Sequence, residues 1–328
     1  MRRIRMFFKL AGAGITAFAV LCALFFPYYT MPGRVPNAHG NTNFVWEAGS
    51  FWMQAEEGIS WGRADEWGFN NPSVIEDPDI LLLGSSHMEA VNVQPGESAA
   101  AQLSGLFAGE YSVYSMGMSG HDLPEVCHYL PETLAIFAES PKYIVIETRS
   151  LSLSENELDF ILTAPAAASK GRPASLKALR DLPFLSVLAR QMDTGLIDLL
   201  LPGLSASADA GADMPDAQLY DRLMAHLAAI EAESGAQILF VYHRPGTFSP
   251  EGAFTWSENP YQAAFSAACG EHGIGFIDLA PDFATLWADE SLVPYGFITG
   301  SPNSGHLNAH GHRTAAEAIC RTIREMEG

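Results

Sequence analysis

The chain has 328 residues, 48% of them apolar and 17% charged, which supplies ample material for a core and excludes a disordered tail. Eighteen Lys and Arg against 38 Asp and Glu give a formal charge of −20, which argues against nucleic acid as a partner, since phosphates need a basic face. Four Cys exclude a disulfide-rich mini-scaffold and a zinc ribbon built from Cys.

Met1 to Arg5 form a short basic head, and an apolar run follows from Met6 to Phe26 with Lys9 as its only charge. A membrane-spanning helix needs about 20 such residues. Phe25, Phe26, Tyr28 and Tyr29 cluster at its far end, as an interfacial aromatic belt does. Basic residues before the run and none just after it until Arg34 place the amino terminus inside and the bulk of the chain outside. The run is read as an uncleaved signal anchor over residues 1–29. A cleaved signal peptide is the alternative, but no small-x-small site follows the run. The exported part then carries 14 basic and 38 acidic residues, a charge of −24. Cys127, Cys269 and Cys320 lie in it, and an odd count permits one bridge at most. Small buried hydrophobes are the simpler reading.

Residues 30–66 read as a polar linker, Thr30 to Gly40, followed by an aromatic lead-in with Trp46, Phe51, Trp52 and Trp61, and Trp67 just beyond. Such rings bind sugars when exposed and pack when buried. From residue 67 to 328 the pattern alternates. Strands are expected at Asp79–Leu83, Tyr111–Tyr114, Tyr143–Ile146, Gln237–Tyr242 and Ile274–Ile277. Helices are expected at Glu97–Phe107, Leu123–Phe137, Met214–Glu233, Tyr261–His272 and Arg313–Met326. This order predicts a three-layer α/β/α sandwich around a parallel five-stranded sheet, with active residues beyond the carboxyl ends of the strands. A helical insertion is expected at about 155–213. Its apolar segment Phe184–Leu201 would cap the site, lie on the membrane, or pack as an extra helix.

Two segments carry residue types suited to chemistry. Gly84-Ser85-Ser86-His87 follows the first strand directly, and Gly305-His306-Leu307-Asn308-Ala309-His310-Gly311-His312 precedes the last helix. A Ser at the turn after a buried strand presents its hydroxyl at the open end of the sheet, and a neutral imidazole beside it can take its proton. Ser86 is therefore the candidate nucleophile and His306 the candidate base. His87, His121, Thr148 and Asn308 are candidate cleft residues. His306 and His310, four apart, raise zinc as an alternative, but a catalytic zinc also wants a third ligand and a carboxylate base. No metal and no cofactor is expected. Asp278 and Asp282, beside a strand end, could orient a base or serve as loop acids.

These segments resemble the SGNH/GDSL hydrolase superfamily over about Trp67 to Met326, leaving out the insertion. Gly84-Ser85-Ser86 matches its first block, with Ser85 where the family has Asp. Tyr114-Ser115-Met116-Gly117-Met118-Ser119-Gly120 resembles the second block, which implies that the N–H groups of Ser86 and Gly117 form the oxyanion hole. His306, Asn308, Gly311 and His312 match the last block. The acid of that block falls on Asn303, which is not ionised, so the resemblance implies that its amide or main-chain carbonyl orients His306. The third block has Glu147-Thr148-Arg149-Ser150 where the family offers an Asn. The anchor, Trp67-Gly68-Phe69 and Ile146-Glu147 further resemble the bacterial alginate O-acetyltransferase-like proteins.

The resemblance implies a membrane-anchored, extracytoplasmic serine esterase that acts on acyl esters, O-acetyl above all, of a glycan or a small molecule. Its alternatives are an O-acyltransferase working with a multi-pass membrane acyltransferase partner, and a non-catalytic glycan-binding or assembly protein that kept the fold.

Overall fold

A computed structural model describes residues 2–37, 44–163, 217–248, 253–256, 258–299 and 303–328. The expected loops Ala164–Ser175 and Ser205–Asp213, the apolar segment Phe184–Leu201 and the start of the helix expected at Met214 lie outside the described residues.

Helix α1 (Arg2–Phe25) contains 22 residues, Ile4–Phe25, with a mean hydropathy of 1.9 and no burial against the rest of the protein. At 1.5 Å per residue that is about 33 Å, long and apolar enough to cross a membrane. In the segment expected as a polar linker and aromatic lead-in, residues 38–43 lie outside the described residues, and much of the rest forms strands. Strands β1 (Tyr29–Thr30), β2 (Arg34–Pro36), β3 (Phe44–Trp46), β4 (Phe51–Gln54) and β5 (Ser60–Arg63) form two small antiparallel sheets, ordered β1-β4-β5 and β2-β3. Trp46 and Trp52 are buried in the main core, so packing explains them.

The main sheet contains β6 (Ile80–Leu83), β7 (Val113–Ser115), β8 (Tyr143–Thr148), β9 (Gln237–Tyr242) and β12 (Gly275–Asp278). A short hairpin, β10 (Thr247–Phe248) with β11 (Phe254–Thr255), lies between the last two in sequence. The five strands are all parallel, in the order β12-β9-β8-β6-β7, as the alternating pattern predicts. Because side chains alternate across a strand, each strand feeds two cores. Leu81, Leu83, Ile144, Ile146, Ile238 and Phe240 face one side, where α4 (Leu123–Leu134), α5 (Glu155–Leu162), α6 (Ala217–Ser234) and α7 (Gln262–His272) pack. Ile80, Leu82, Val145, Leu239 and Val241 face the other, with α3 (Ala99–Phe107), α8 (Ala280–Glu290) and α9 (Ala309–Glu327). Cys127, Cys269 and Cys320 are free and buried.

The chain leaves β6 for β7 on one side and later returns to β8 on the other. That reversal falls at the carboxyl end of β6, the usual ligand position in open α/β sheets. The final helix starts four residues before the position its periodicity suggests, because Asn308 caps it. Asn308 Oδ1 accepts from the N–H groups of His310 and Gly311, so His310 and His312 lie on the helix itself.

Candidate active site

Strand β6 ends at Leu83, and a short helix α2 (Ser86–Glu89) begins at once with Ser85 as its N-cap. The geometry places Ser86 at the first helical position, partly exposed. Across from it, the loop before α9 is pinned by pairing with residues 294–296. Gly296 N–H donates to the His306 carbonyl at 3.1 Å, Asn308 N–H donates to that of Pro294 at 2.9 Å, and Tyr295 bridges Leu307. Asn308 adds side-chain bonds to the carbonyls of Val293 and Gly296. The pinned loop sets His306 Nε2 2.8 Å from Ser86 Oγ.

The residues that follow this pair are themselves bonded. Leu307 N–H donates to His87 Nδ1 at 3.2 Å. This needs a neutral imidazole, and burial, reinforced by His243 and His306, pushes the His87 pKa well below the usual histidine range. His87 thus braces the His306 loop against the helix that begins at Ser86, and is buried rather than lining a cleft.

The partner of the other imidazole nitrogen corrects the expectation built on Asn303. Glu57, in the turn between β4 and β5, takes the Nδ1 hydrogen bond of His306 on its Oε2. Asn303 instead sits in a left-handed turn at φ +56° and donates its amide to the Gly246 carbonyl at 2.6 Å. The Glu57 main chain is held at both ends by one side chain: Gln54 Oε1 accepts from Glu57 N–H at 3.1 Å and Gln54 Nε2 donates to its carbonyl at 2.6 Å. Asn92 Nδ2 donates to Glu57 Oε2 at 3.2 Å. Gly305 leaves room for this carboxylate. Its φ of +77° suits glycine, and a Cβ there would fall 2.4 Å from Glu57 Oε1. With Nδ1–H donating to Glu57, Nε2 is left bare and faces the Ser86 hydroxyl.

A second, wholly buried set lies behind. Glu147 Oε2 accepts from both the N–H (2.8 Å) and the Oγ (2.9 Å) of Ser85. Its Oε1 meets His243 Nε2 at 2.7 Å, and His243 Nδ1 meets the Tyr295 hydroxyl. Burial works to raise the Glu147 pKa, but the bonds from His243 and Ser85 outweigh it and hold the carboxyl below its usual range. Glu147, at the position where the resemblance offers an Asn, therefore clamps the residue before Ser86.

Other expected residues have mainly structural contacts. Gly117 is buried against α2, where a Cβ would lie 2.4 Å from the Met88 carbonyl carbon, and its N–H points to Ser115 Oγ at 3.4 Å. Ser86 N–H, at the start of α2, has no hydrogen-bond partner among the described residues. Thr148 is buried and bonds Ser150, and His121 bonds the Met118 carbonyl through Nδ1. Asp278 bonds Ala280 N–H and Gln262, while Asp282 pairs with Arg321. His306 spends both ring nitrogens on Ser86 and Glu57.

No known family profile matches the chain, and no curated protein does. Solved structures do. An acetyl xylan esterase is 13% identical, with 74% of this chain and 99% of that one covered at a TM-score of 0.41. An acetylxylan esterase from Geobacillus stearothermophilus, solved as a catalytic mutant, is 15% identical over 76% and 94%, at 0.38. A GDSL-like lipase from Bacteroides thetaiotaomicron is 11% identical over 76% and 89%, at 0.37. At these scores the likeness assigns no role to any residue.

Proposed function

We propose that the protein is a serine ester hydrolase of the SGNH type, with Ser86 as nucleophile, His306 as base and Glu57 as the residue that orients it. The observation that carries this reading is the Ser86 Oγ to His306 Nε2 contact of 2.8 Å, completed on Nδ1 by the Glu57 carboxylate. Ser86 Oγ adds to the ester carbonyl carbon while its proton passes to His306 Nε2. The Nδ1–H bond to Glu57 stabilises the imidazolium that forms. The developing oxyanion is held by the unspent N–H of Ser86, with the N–H of Gly117, which makes only a long 3.4 Å bond to Ser115 Oγ, as the second donor. The C–O bond to the leaving alcohol then breaks, and the alcohol takes the proton from Nε2. Water repeats the sequence on the acyl-serine and restores the hydroxyl. A sugar hydroxyl in place of that water makes the same site an O-acyltransferase.

A carboxylate on Nδ1 of His306, from Glu57, supports the catalytic reading over a non-catalytic one. Acyl esters of extracytoplasmic glycans or of small molecules are the substrate class, with the domain held outside the membrane by α1. A fluorophosphonate added to the full chain in detergent is expected to add one covalent mass, lost in Ser86→Ala. No labelling between pH 6 and 9 overturns the reading.

A further inference from the structure

Strand β1 starts within four residues of the end of α1, so little slack separates the apolar helix from the sheet that carries Glu57. Ala55 N–H donates to the Tyr28 carbonyl at 2.7 Å, and Thr30 Oγ1 donates to that of Phe26 at 2.6 Å. The Phe26 ring stacks on Phe51, centroids 6.1 Å apart and planes within 4°. The register sets Tyr29, Gln54 and Ser60 in one row and Thr30, Met53 and Trp61 in the next. Neighbouring rows point to opposite faces. Gln54 and Ser60 point inward, are buried, and bond the Val91 carbonyl. The other face therefore points outward. It holds Thr30, Phe51, Met53, Trp61 and Arg63, with Trp61 50% exposed and Ile59 beside it 58% exposed.

This face contains no acid and one Arg, in an exported part with a charge of −24. Such a face suits the membrane–water interface, where Trp is enriched. Strands are about 4.8 Å apart, so the Trp61 backbone lies about 10 Å from Thr30, where the chain leaves the membrane helix.

We propose that the outward face of the β1-β4-β5 sheet rests on the surface of the bilayer that α1 spans, with Trp61 and Ile59 in the headgroup layer. The ester that reaches Ser86 is then one presented at that surface, an acylated amphiphile rather than a freely diffusing solute. This substrate assignment rests on the hydrolase reading above. The docking itself does not, since it follows from the register, the exposure and the short connection to α1.

The test uses the full chain in nanodiscs of equal parts phosphatidylcholine and phosphatidylglycerol with brominated acyl chains. Bromine is expected to quench the tryptophan fluorescence of the unaltered protein, and Trp61→Phe to remove most of that quenching. Equal quenching in both, or none in either, overturns the docking. In the same discs, Ile59→Ser with Trp61→Ser is expected to lower kcat/KM about tenfold on a bilayer-embedded fluorogenic ester and to leave p-nitrophenyl acetate within about twofold. Equal loss on both esters, or loss on neither, overturns the substrate assignment. Hydrolysis that persists in Ser86→Ala would sink the catalytic reading instead, and the quenching result would still stand or fall by itself.

Discussion

Glu57 accepts the Nδ1 hydrogen bond of His306 although 249 positions separate the two residues. The contact joins an antiparallel turn next to the apolar helix to the loop that begins the last helix. It fixes the imidazole tautomer and leaves Nε2 as the acceptor for Ser86.

Glu57→Gln is expected to lower kcat by roughly 10²- to 10⁴-fold, because an amide neither stabilises the imidazolium nor enforces the tautomer. Asn303→Gly, which keeps the left-handed turn, is expected to leave kcat within about threefold. Steady-state rates on a soluble acetyl ester check both. A large loss in Asn303→Gly with little in Glu57→Gln would restore the orienting role to Asn303.

Glu147→Ala is expected to destabilise the fold by about 3–5 kcal/mol, because it strands the wholly buried His243 ring and also leaves the partly buried Ser85 N–H without its acceptor. Ser85→Ala removes the hydroxyl bond to Glu147 and the cap bond from His87 N–H, and should cost about 1–2 kcal/mol. Urea midpoints at fixed slope measure the difference. Comparable midpoints for the two variants would show that Glu147 does not anchor the nucleophile turn.

Gly117→Ala should shift α2, since the new methyl would meet backbone atoms of Met88 and Glu89 at 2.4–2.5 Å. A loss of roughly 1–3 kcal/mol in stability together with reduced fluorophosphonate labelling is the expected pairing. Normal labelling with a normal midpoint would show that the glycine has room.

Two buried groups make opposite contributions to the pH dependence of stability. His312 is buried and its pKa is pushed down to about 3, first by burial and then by His243, so it is neutral in the folded state. The unfolded chain takes up that proton from about pH 6.5 downward, so stability falls as pH drops from 6.5 toward 3, at up to about 1.4 kcal/mol per pH unit. Glu89 is raised by burial, an effect only partly offset by its bond with Ser119, so it favours the protonated form in the fold. Its contribution is present below the ordinary carboxyl range and is lost as pH rises from that range through the raised folded-state value. Glu89→Gln should therefore gain stability relative to the unaltered protein at pH 8 and gain little at pH 4, read from denaturation at both. A gain of the same size at both values would refute the titration account.

The sequence by itself determined the five strands of the main sheet and most of the helices that cover it, because their signals are local. Ile80–Leu83 is an unbroken apolar run, and Leu219, Leu223, Leu227 and Ile230 recur at helical spacing. The same local signals put Ser86 after a buried strand and His306 before a helix. Only the tertiary structure decided which carboxylate meets His306 and which one clamps Ser85. Glu57 lay in a stretch whose composition reads as a lead-in, and it reaches the site because β4 and β5 pair and Gln54 holds the turn between them. Backbone pairing between strands uses the same N–H and C=O groups whatever the side chains. The chain therefore carries little local record of where its distant turns will meet.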